Sequence, residues 1–278
     1  MTRIIILCAG QANRWAPKSL KQLVPIDGEP LLHRTVRLLR SFEYDDIYIA
    51  CIDPKLRIEG CKHFTPSDSR WTASTLYSSR HLWDNRTIIL LGDVYYTEES
   101  LTKILECPSE LKFIGRLGPS SFTGCPYGEI FGLLFSDSMH LQLENILKTI
   151  IEKAEHLHRD TLMRYVAFAF SYVKRFLSSL QKQKKGNVFK RMGMAHNCAN
   201  LHIQHTMLLC GRLWNLYCKC TGLPLDKRTT QTPMFMNIDD FTEDFDTLDG
   251  YTTWIAKFAQ YHAHNIPDHS MSTSPVSP

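Results

Sequence analysis

Short apolar runs rich in β-branched residues alternate with helical patterns along the first half of the chain. Four of these runs are typical of strands buried on both faces, namely Ile4–Leu7, Ile47–Ile52, Thr87–Leu91 and Phe113–Arg116. Helical patterns lie between the runs, from Pro30 to Leu39 and from Ser74 to Trp83. Strands that alternate with helices predict parallel strands joined by right-handed crossovers. The expected fold class is therefore α/β, with a mostly parallel sheet flanked by helices.

The pattern becomes helical after about Ser138. The pattern is helical from Leu141 to Leu180, where Phe168, Tyr172, Phe176 and Leu180 recur every four positions, and another helical pattern runs from Leu208 to Tyr217. We interpret this stretch as a helical insertion into a single domain of residues 1–265. The predicted parts are a first half over 1–138, the insertion over 139–232, a closing part over 233–265 and a disordered Ser- and Pro-rich tail over 266–278.

The composition is ordinary for a globular protein, with 44% hydrophobic and 22% charged residues among 278. The formal net charge of +4 is small and dispersed, and no basic and aromatic stripe indicates a nucleic-acid surface. No apolar stretch approaches the roughly 20 residues that span a bilayer. Nine scattered cysteines without an export signal predict reduced thiols and a cytoplasmic location. We therefore expect neither a nucleic-acid nor a membrane partner, while a homo-oligomer stays open.

A turn of small residues follows directly after the first predicted strand. It contains Ala9, Gly10 and Ala12 and ends at Arg14. Such turns lie at the carboxyl edge of a parallel sheet, where ligands of α/β proteins bind. Small residues let backbone N–H groups approach phosphate oxygens, and an arginine adds a bidentate cationic donor. The turn matches neither a Walker A loop nor a Rossmann Gly-x-Gly-x-x-Gly, so by itself it supports only a hypothesis of phosphate binding.

The sequence from the first strand to the first helix resembles the start of the nucleotidyltransferases of the nucleotide-sugar pyrophosphorylase and cytidylyltransferase type. Their signature runs Leu-Ala-Ala-Gly-x-Gly-x-Arg, then Pro-Lys-x-Leu, then Gly-x-Pro-Leu-Leu. The resemblance implies that Ala9, Gly10 and Ala12 belong to a loop that wraps a nucleoside triphosphate. It also implies that Arg14 and Lys21 neutralise charge at the reacting phosphates.

The chain departs from this signature at two places. Ala12 replaces the second glycine, which restricts the loop if φ is positive there. Pro17 and Lys18 precede Lys21, so Lys18 is a second candidate for the lysine role. The segment from Gly28 to Leu32 does match the family's Gly-x-Pro-Leu-Leu. The resemblance implies a Rossmann-like sheet of the nucleotide-diphospho-sugar transferase type.

Two acidic positions far apart in sequence are candidates for a magnesium site. Asp93 follows the third predicted strand, at the sheet edge that also carries the first turn. Mg²⁺ is bound through one or two carboxylates together with substrate phosphates. The resemblance implies that Asp93 binds the metal and that a closing Asp-Thr-Pro-Glu-Asp-Tyr motif supplies the second ligand. Asp246 fits that motif best, and an alternative register places the ligand at Asp240, four residues before Asp244.

Three further polar residues are candidates for contacts with substrates. Thr72 and Ser74 begin the helical pattern before the Asp93 strand, where the family contacts the base and a nearby phosphate. The competing interpretation is that one of these hydroxyls caps the helix. Glu129 lies in an apolar strand and needs a partner if it is buried, which we expect to be a structural arginine rather than an acceptor group.

These features predict a magnesium-dependent enzyme that moves a nucleotide from a nucleoside triphosphate to a small phosphorylated acceptor. A sugar 1-phosphate and a phosphorylated alcohol both fit as acceptor. A nucleotide-sugar-dependent glycosyltransferase is one alternative, but it would normally carry Asp-x-Asp, and Tyr95 stands in the place of the second acid after Asp93. An inactive nucleotide-binding relative is another alternative, favoured by Ala12 and by Leu248 in the place of the motif's proline.

Overall fold

The computed structural model of the chain describes residues 1–10, 20–157 and 213–265. In this part of the chain the strands are β1 (Thr2–Leu7), β2 (Pro25–Ile26), β3 (Glu29–Pro30), β4 (Ile47–Ala50), β5 (Lys62–Phe64), β6 (Arg86–Leu91), β7 (Val94–Tyr95), β8 (Leu111–Arg116), β9 (Glu129–Ser136), β10 (Phe235–Asn237) and β11 (Glu243–Asp244). The helices are α1 (Leu31–Ser41), α2 (Thr72–Ser78), α3 (Glu98–Glu106), α4 (140–157, as far as it is described), α5 (Leu213–Thr221) and α6 (Leu248–Asn265).

Seven of the strands form one sheet in the order β10-β8-β9-β6-β1-β4-β5. β1 pairs in parallel with β4 and β6, β4 with β5, and β10 with β8. β9 lies between β6 and β8 and runs antiparallel to both. Two short antiparallel pairs, β2 with β3 and β7 with β11, stand outside this sheet. The predicted α/β fold with a mostly parallel sheet is confirmed.

The central strand β1 is buried on both faces, as its continuous apolar run predicts. Ile4, Ile5 and Ile6 are each 0% exposed. Ile4 and Ile6 pack in a core with side chains of α1 and α3, whereas Ile5 packs in a second core with side chains of α2, α4 and α5. Burying one such side chain contributes about 1.5–3 kcal/mol. The two cores therefore fix helices on both faces of the sheet.

The helix predicted from Ser74 to Trp83 is shorter than expected. It ends at Ser78, and the chain continues as a 3-10 turn. The hydroxyl of Ser79 donates a hydrogen bond to the Leu76 carbonyl at 2.7 Å. Serine hydroxyls compete in this way with the backbone hydrogen bonds of a helix. The prediction was therefore right about the helix and wrong about its end.

The strand predicted from Ile47 to Ile52 is also shorter and ends at Ala50. The Asp53 side chain accepts a hydrogen bond from the N–H of Lys55 at 2.9 Å and caps a 3-10 turn that begins at Pro54. The local turn thus ends the pairing of β4 early. The sequence pattern also gave no indication of α3 or of the short strand β5.

The described ends of the predicted insertion, 139–232, pack in the second core, which contains Ile5. Leu147 of α4 and Tyr217 of α5 are each 0% exposed and lie in the same core cluster. Most of the insertion, over 158–212, and the predicted tail, over 266–278, lie outside the described residues. The domain boundaries therefore stay predictions. In the residues that the structure does describe, every helix is too short or too polar to span a membrane.

Candidate active site

The carboxyl ends of β1 and β6 lie side by side and bring two loops together. Leu7 and Leu91 are register partners, and the Gly92 N–H donates to the Leu7 carbonyl at 3.0 Å. A Cβ atom on Gly92 would lie 2.2 Å from the Cys8 sulfur, so the Cys8 side chain would have to shift to make room for it. The close approach of the two loops therefore favours glycine immediately before Asp93.

Lys21 begins a 3-10 turn and directs its ammonium group toward three aspartates. The Lys21 Nζ atom contacts the Asp93 carboxylate. It lies 3.6 Å from Asp244 Oδ1 and 3.9 Å from Asp246 Oδ1. Burial disfavours the charged form of Lys21, but the three aspartates outweigh burial and raise its pKa. Lys21 is therefore a charged ammonium throughout the neutral pH range.

Asp244 and Asp246 reach this position because β11 pairs with β7. The Phe245 N–H donates to the Asp93 carbonyl at 3.3 Å and continues that pairing. Phe245 is 0% exposed and packs edge-on against Trp254 of α6. Because the two aspartates flank this buried ring, anchoring the ring holds both carboxylates at the lysine.

Glu129, Asp244 and Asp246 each place a carboxylate oxygen within 4.8 Å of the other two. Asp244 Oδ1 is buried and accepts no hydrogen bond from any described residue. Burial, helped by Asp93, raises the pKa of Asp244 well above its ordinary value, against the opposing effect of Lys21. A hard divalent cation takes carboxylate oxygens as ligands and would satisfy this buried oxygen. The donor set therefore fits Mg²⁺.

Glu129 is buried and pairs with an arginine, as expected for a carboxylate in an apolar strand. Arg116 Nη2 donates to Glu129 Oε2 at 2.8 Å. The same guanidinium donates to both carboxylate oxygens of Glu243, and the Ser120 hydroxyl donates to Glu243 as well. The single positive charge of Arg116 is therefore shared between two buried acidic side chains, Glu129 and Glu243. Burial, together with Asp244 and Glu243, raises the pKa of Glu129 to about 9 against the effect of Arg116.

The first part of the chain also matches a known family in sequence. Residues 4–110 match the family model of the MobA-like NTP transferase domain. The predicted resemblance to nucleotidyltransferases is confirmed. The matched region includes Lys21 and Asp93, whereas Asp244 and Asp246 lie beyond it. No curated protein matches the chain.

Two solved structures are among those similar to this chain. The CTP:phosphocholine cytidylyltransferase from Streptococcus pneumoniae is 13% identical, with 92% of this chain and 99% of that chain covered and a TM-score of 0.48. HddC from Yersinia pseudotuberculosis, complexed with GMP-PN, is 16% identical, with 52% of this chain and 79% of that chain covered and a TM-score of 0.38. The fold class itself rests on the strand order of this chain.

The residues predicted to contact nucleotide lie in two segments of the region that resembles the NTP transferases. Ala9 is buried and Gly10 is exposed, directly after β1. Thr72 begins α2, and Ser74 in the first turn of that helix is 1% exposed. Their contacts with nucleotide stay predictions. Three further candidates lie outside the described residues, namely Ala12, Arg14 and Lys18.

Asp240, the alternative metal ligand, is engaged at the start of α3. Its Oδ2 accepts a hydrogen bond from the Thr97 hydroxyl at 2.7 Å. The Thr97 hydroxyl in turn accepts from the N–H of Ser100 and caps α3. Asp240 therefore ties the closing segment to α3. The acids of this segment that lie within ion-pair distance of the Lys21 ammonium are Asp244 and Asp246.

Neither Asp244 nor Glu129 was predicted from the sequence as a member of the acidic group. A signal for Asp244 was present, because Asp244 and Asp246 flank an aromatic residue with the alternation of an extended segment. No local signal placed Glu129 beside them. Its position follows from the antiparallel pairing of β8 with β9, in which Arg116 and Glu129 are register partners.

Proposed function

We propose that the chain is a metal-dependent nucleotidyltransferase that joins a nucleoside triphosphate to a small phosphorylated acceptor and releases pyrophosphate. The observation that supports this function most strongly is the meeting of Lys21 with Asp93 and Asp246 at the carboxyl edge of the sheet. These residues come from three distant parts of the sequence. Ligands of α/β proteins bind at this edge. We assign residues 1–138 to nucleotide binding, 233–265 to closing the metal site and the insertion over 139–232 to the same domain.

Asp93 and Asp246 are the proposed ligands of Mg²⁺. Both lie against the cation of Lys21. Asp246 also places a carboxylate oxygen within 4.8 Å of one from Asp244, whose buried Oδ1 accepts no hydrogen bond from the described residues. When bound, Mg²⁺ would neutralise charge on the phosphate oxygens of the substrate. Asp246 is preferred over Asp240 as second ligand because Asp240 is engaged with Thr97.

The proposed reaction needs positioned positive charge more than it needs a general base. An acceptor phosphate oxygen, already ionised, forms a bond to the α-phosphorus of the triphosphate. The bond from that phosphorus to the pyrophosphate oxygen breaks, and pyrophosphate leaves with the electron pair. Lys21 and Arg14 would stabilise the charge on the α-phosphate and on the leaving group.

The nucleotide is proposed to lie over the loop after β1 and the start of α2. Backbone N–H groups at Ala9, Gly10 and Ala12 would approach the phosphates, because small side chains leave them accessible. A Cβ atom added at Gly10 would have no heavy atom of a described residue within 4 Å, so the described residues leave this backbone accessible. Thr72 and Ser74 are the proposed contacts to the base and a nearby phosphate.

A grid of the four nucleoside triphosphates against acceptor phosphates, with and without Mg²⁺, tests this function. The acceptors would include sugar 1-phosphates and phosphocholine, and formation of pyrophosphate would be measured. We expect one combination to give pyrophosphate that depends on both acceptor and metal. A parallel assay with nucleotide sugars that gave sugar transfer without pyrophosphate would instead identify a glycosyltransferase. Nucleotide binding without any turnover would identify an inactive relative.

A further inference from the structure

The ammonium group of Lys21 lies at the aspartates that are proposed to bind the metal. Lys21 contacts Asp93 and is within 4 Å of Asp244 and Asp246. The lysine side chain is 13% exposed, so little water separates it from these carboxylates. In this structure the carboxylates are therefore neutralised in part by a cation that belongs to the chain itself.

A divalent ion and this ammonium group cannot both lie among the same three aspartates at low cost. Two cations a few ångströms apart repel each other, and the repulsion is strong where solvent is largely excluded. A metal ion that binds alone must also separate Lys21 from its three acidic partners and leave it without a counter-charge. A triphosphate changes this balance, because its oxygens bind the metal and also provide anionic partners for a displaced lysine.

We propose that Lys21 is a specificity-determining residue that makes this site select the metal complex of a triphosphate over the free divalent ion. The inference rests on the proposed function. The phosphate-free protein excludes the metal because Lys21 already neutralises the carboxylates. Binding of the metal–triphosphate complex moves the ammonium from Asp93 to a phosphate oxygen and leaves the aspartates to the metal.

The position of Lys21 in the chain suits this movement. Lys21 is the first residue of a three-residue 3-10 turn. In the sequence, this turn comes after β1 and before the antiparallel pair of β2 and β3. The lysine side chain has four rotatable carbon–carbon bonds and one charged end, so its ammonium can move without moving the backbone. An ordinary lysine ammonium is charged at neutral pH, and a phosphate oxygen would supply a negative partner in the new position.

Mn²⁺ binding, followed by the electron paramagnetic resonance signal of the unbound ion, tests the proposal without requiring turnover. The full chain would be titrated at pH 7.5 as wild type, Lys21→Met and Lys21→Arg. We expect Lys21→Met to bind Mn²⁺ about tenfold or more tightly than wild type, because the competing charge is gone. Lys21→Arg keeps the charge and should bind as weakly as wild type. Lys103→Met, which removes an exposed lysine paired with Glu99, is the matched control and should behave like wild type.

The same proteins would then be titrated with inorganic tripolyphosphate, which carries the triphosphate without a base. We expect Mn²⁺ to strengthen tripolyphosphate binding to the wild type, with a smaller gain in Lys21→Met. Circular dichroism and thermal unfolding would show that the variants are folded. If wild type binds the Mn²⁺–tripolyphosphate complex but folded Lys21→Met binds Mn²⁺ no more tightly than wild type, the selection by Lys21 is wrong and the proposed function stands. If no protein binds Mn²⁺ with or without tripolyphosphate, the metal-dependent function itself is overturned, and the inference with it.

Discussion

Arg116 and Glu243 form a buried bidentate ion pair, in which two guanidinium nitrogens donate to the two carboxylate oxygens at 2.9 and 3.0 Å. Glu243 is 0% exposed and directly precedes Asp244. The Arg116 guanidinium also holds Glu129. This one side chain therefore joins the end of β8, the start of β9 and the strand that carries the proposed site.

Arg116→Met should destabilise the protein by about 3–5 kcal/mol, because it leaves Glu129 and Glu243 buried without their positive partner. Urea unfolding would measure the loss. Arg3→Met is the matched control, since Arg3 pairs with Asp46 and is more exposed. Its loss should be about 1 kcal/mol. Equal losses in the two variants would show that the Arg116 network is not a main support of the fold.

The stability of the protein should fall as pH rises through the range set by Glu129. The pKa of Glu129 is raised from 4.5 to about 9 in the folded protein. Between these values the folded state binds more protons than the unfolded state, so a rise in pH favours unfolding. The raised pKa of Asp244 acts in the same direction. Urea unfolding in metal-free buffer at intervals from pH 5 to pH 9 would measure this slope.

Glu129→Gln should reduce that slope, because glutamine does not titrate and can still accept a hydrogen bond from Arg116. Glu99→Gln is the matched control, since Glu99 is exposed and pairs with Lys103 on the same helix. That variant should keep the wild-type slope. A Glu129→Gln protein whose stability still depends on pH as in the wild type would contradict the assignment to Glu129.

The sequence was most informative where neighbouring residues decide the structure. The apolar run of β1 follows from a local requirement, because a strand buried on both faces needs apolar side chains at consecutive positions. The partner of Glu129 was predictable as an arginine, but its identity depends on the register of β8 with β9. The role of Asp244 depends on a two-residue pairing between β7 and β11, which are distant in sequence. Long-range pairing of this kind leaves little trace in local residue patterns.

Asp93→Asn and Asp246→Asn should each lower metal-dependent turnover about 10²–10³-fold, because each removes a charge that positions the metal. Both positions are near the surface of the site, so the fold should survive. Asp240→Asn is the matched control, since it changes an acid of the same segment that holds Thr97 instead. We expect it to reduce stability and to leave turnover within a few-fold of wild type. The reverse result, with turnover lost only in Asp240→Asn, would assign the second metal ligand to Asp240 instead of Asp246.

Lys21→Ala should lower turnover about 10²–10³-fold at saturating substrates, because it removes charge that the reacting phosphates need in the transition state. Arg14→Ala should act in the same direction for the same reason. Lys18→Ala is the matched control, since Lys18 is the other candidate for the lysine of the family motif. Steady-state rates of pyrophosphate release, with thermal unfolding to check the fold, would compare the three variants with wild type.

The contact of Lys21 with Asp93 favours Lys21 over Lys18, because the group beside the proposed metal ligands is the one that can reach the same phosphates. Near-normal turnover in Lys21→Ala, combined with a large loss in Lys18→Ala, would move the role to Lys18 and leave Lys21 as a counter-charge of the aspartates.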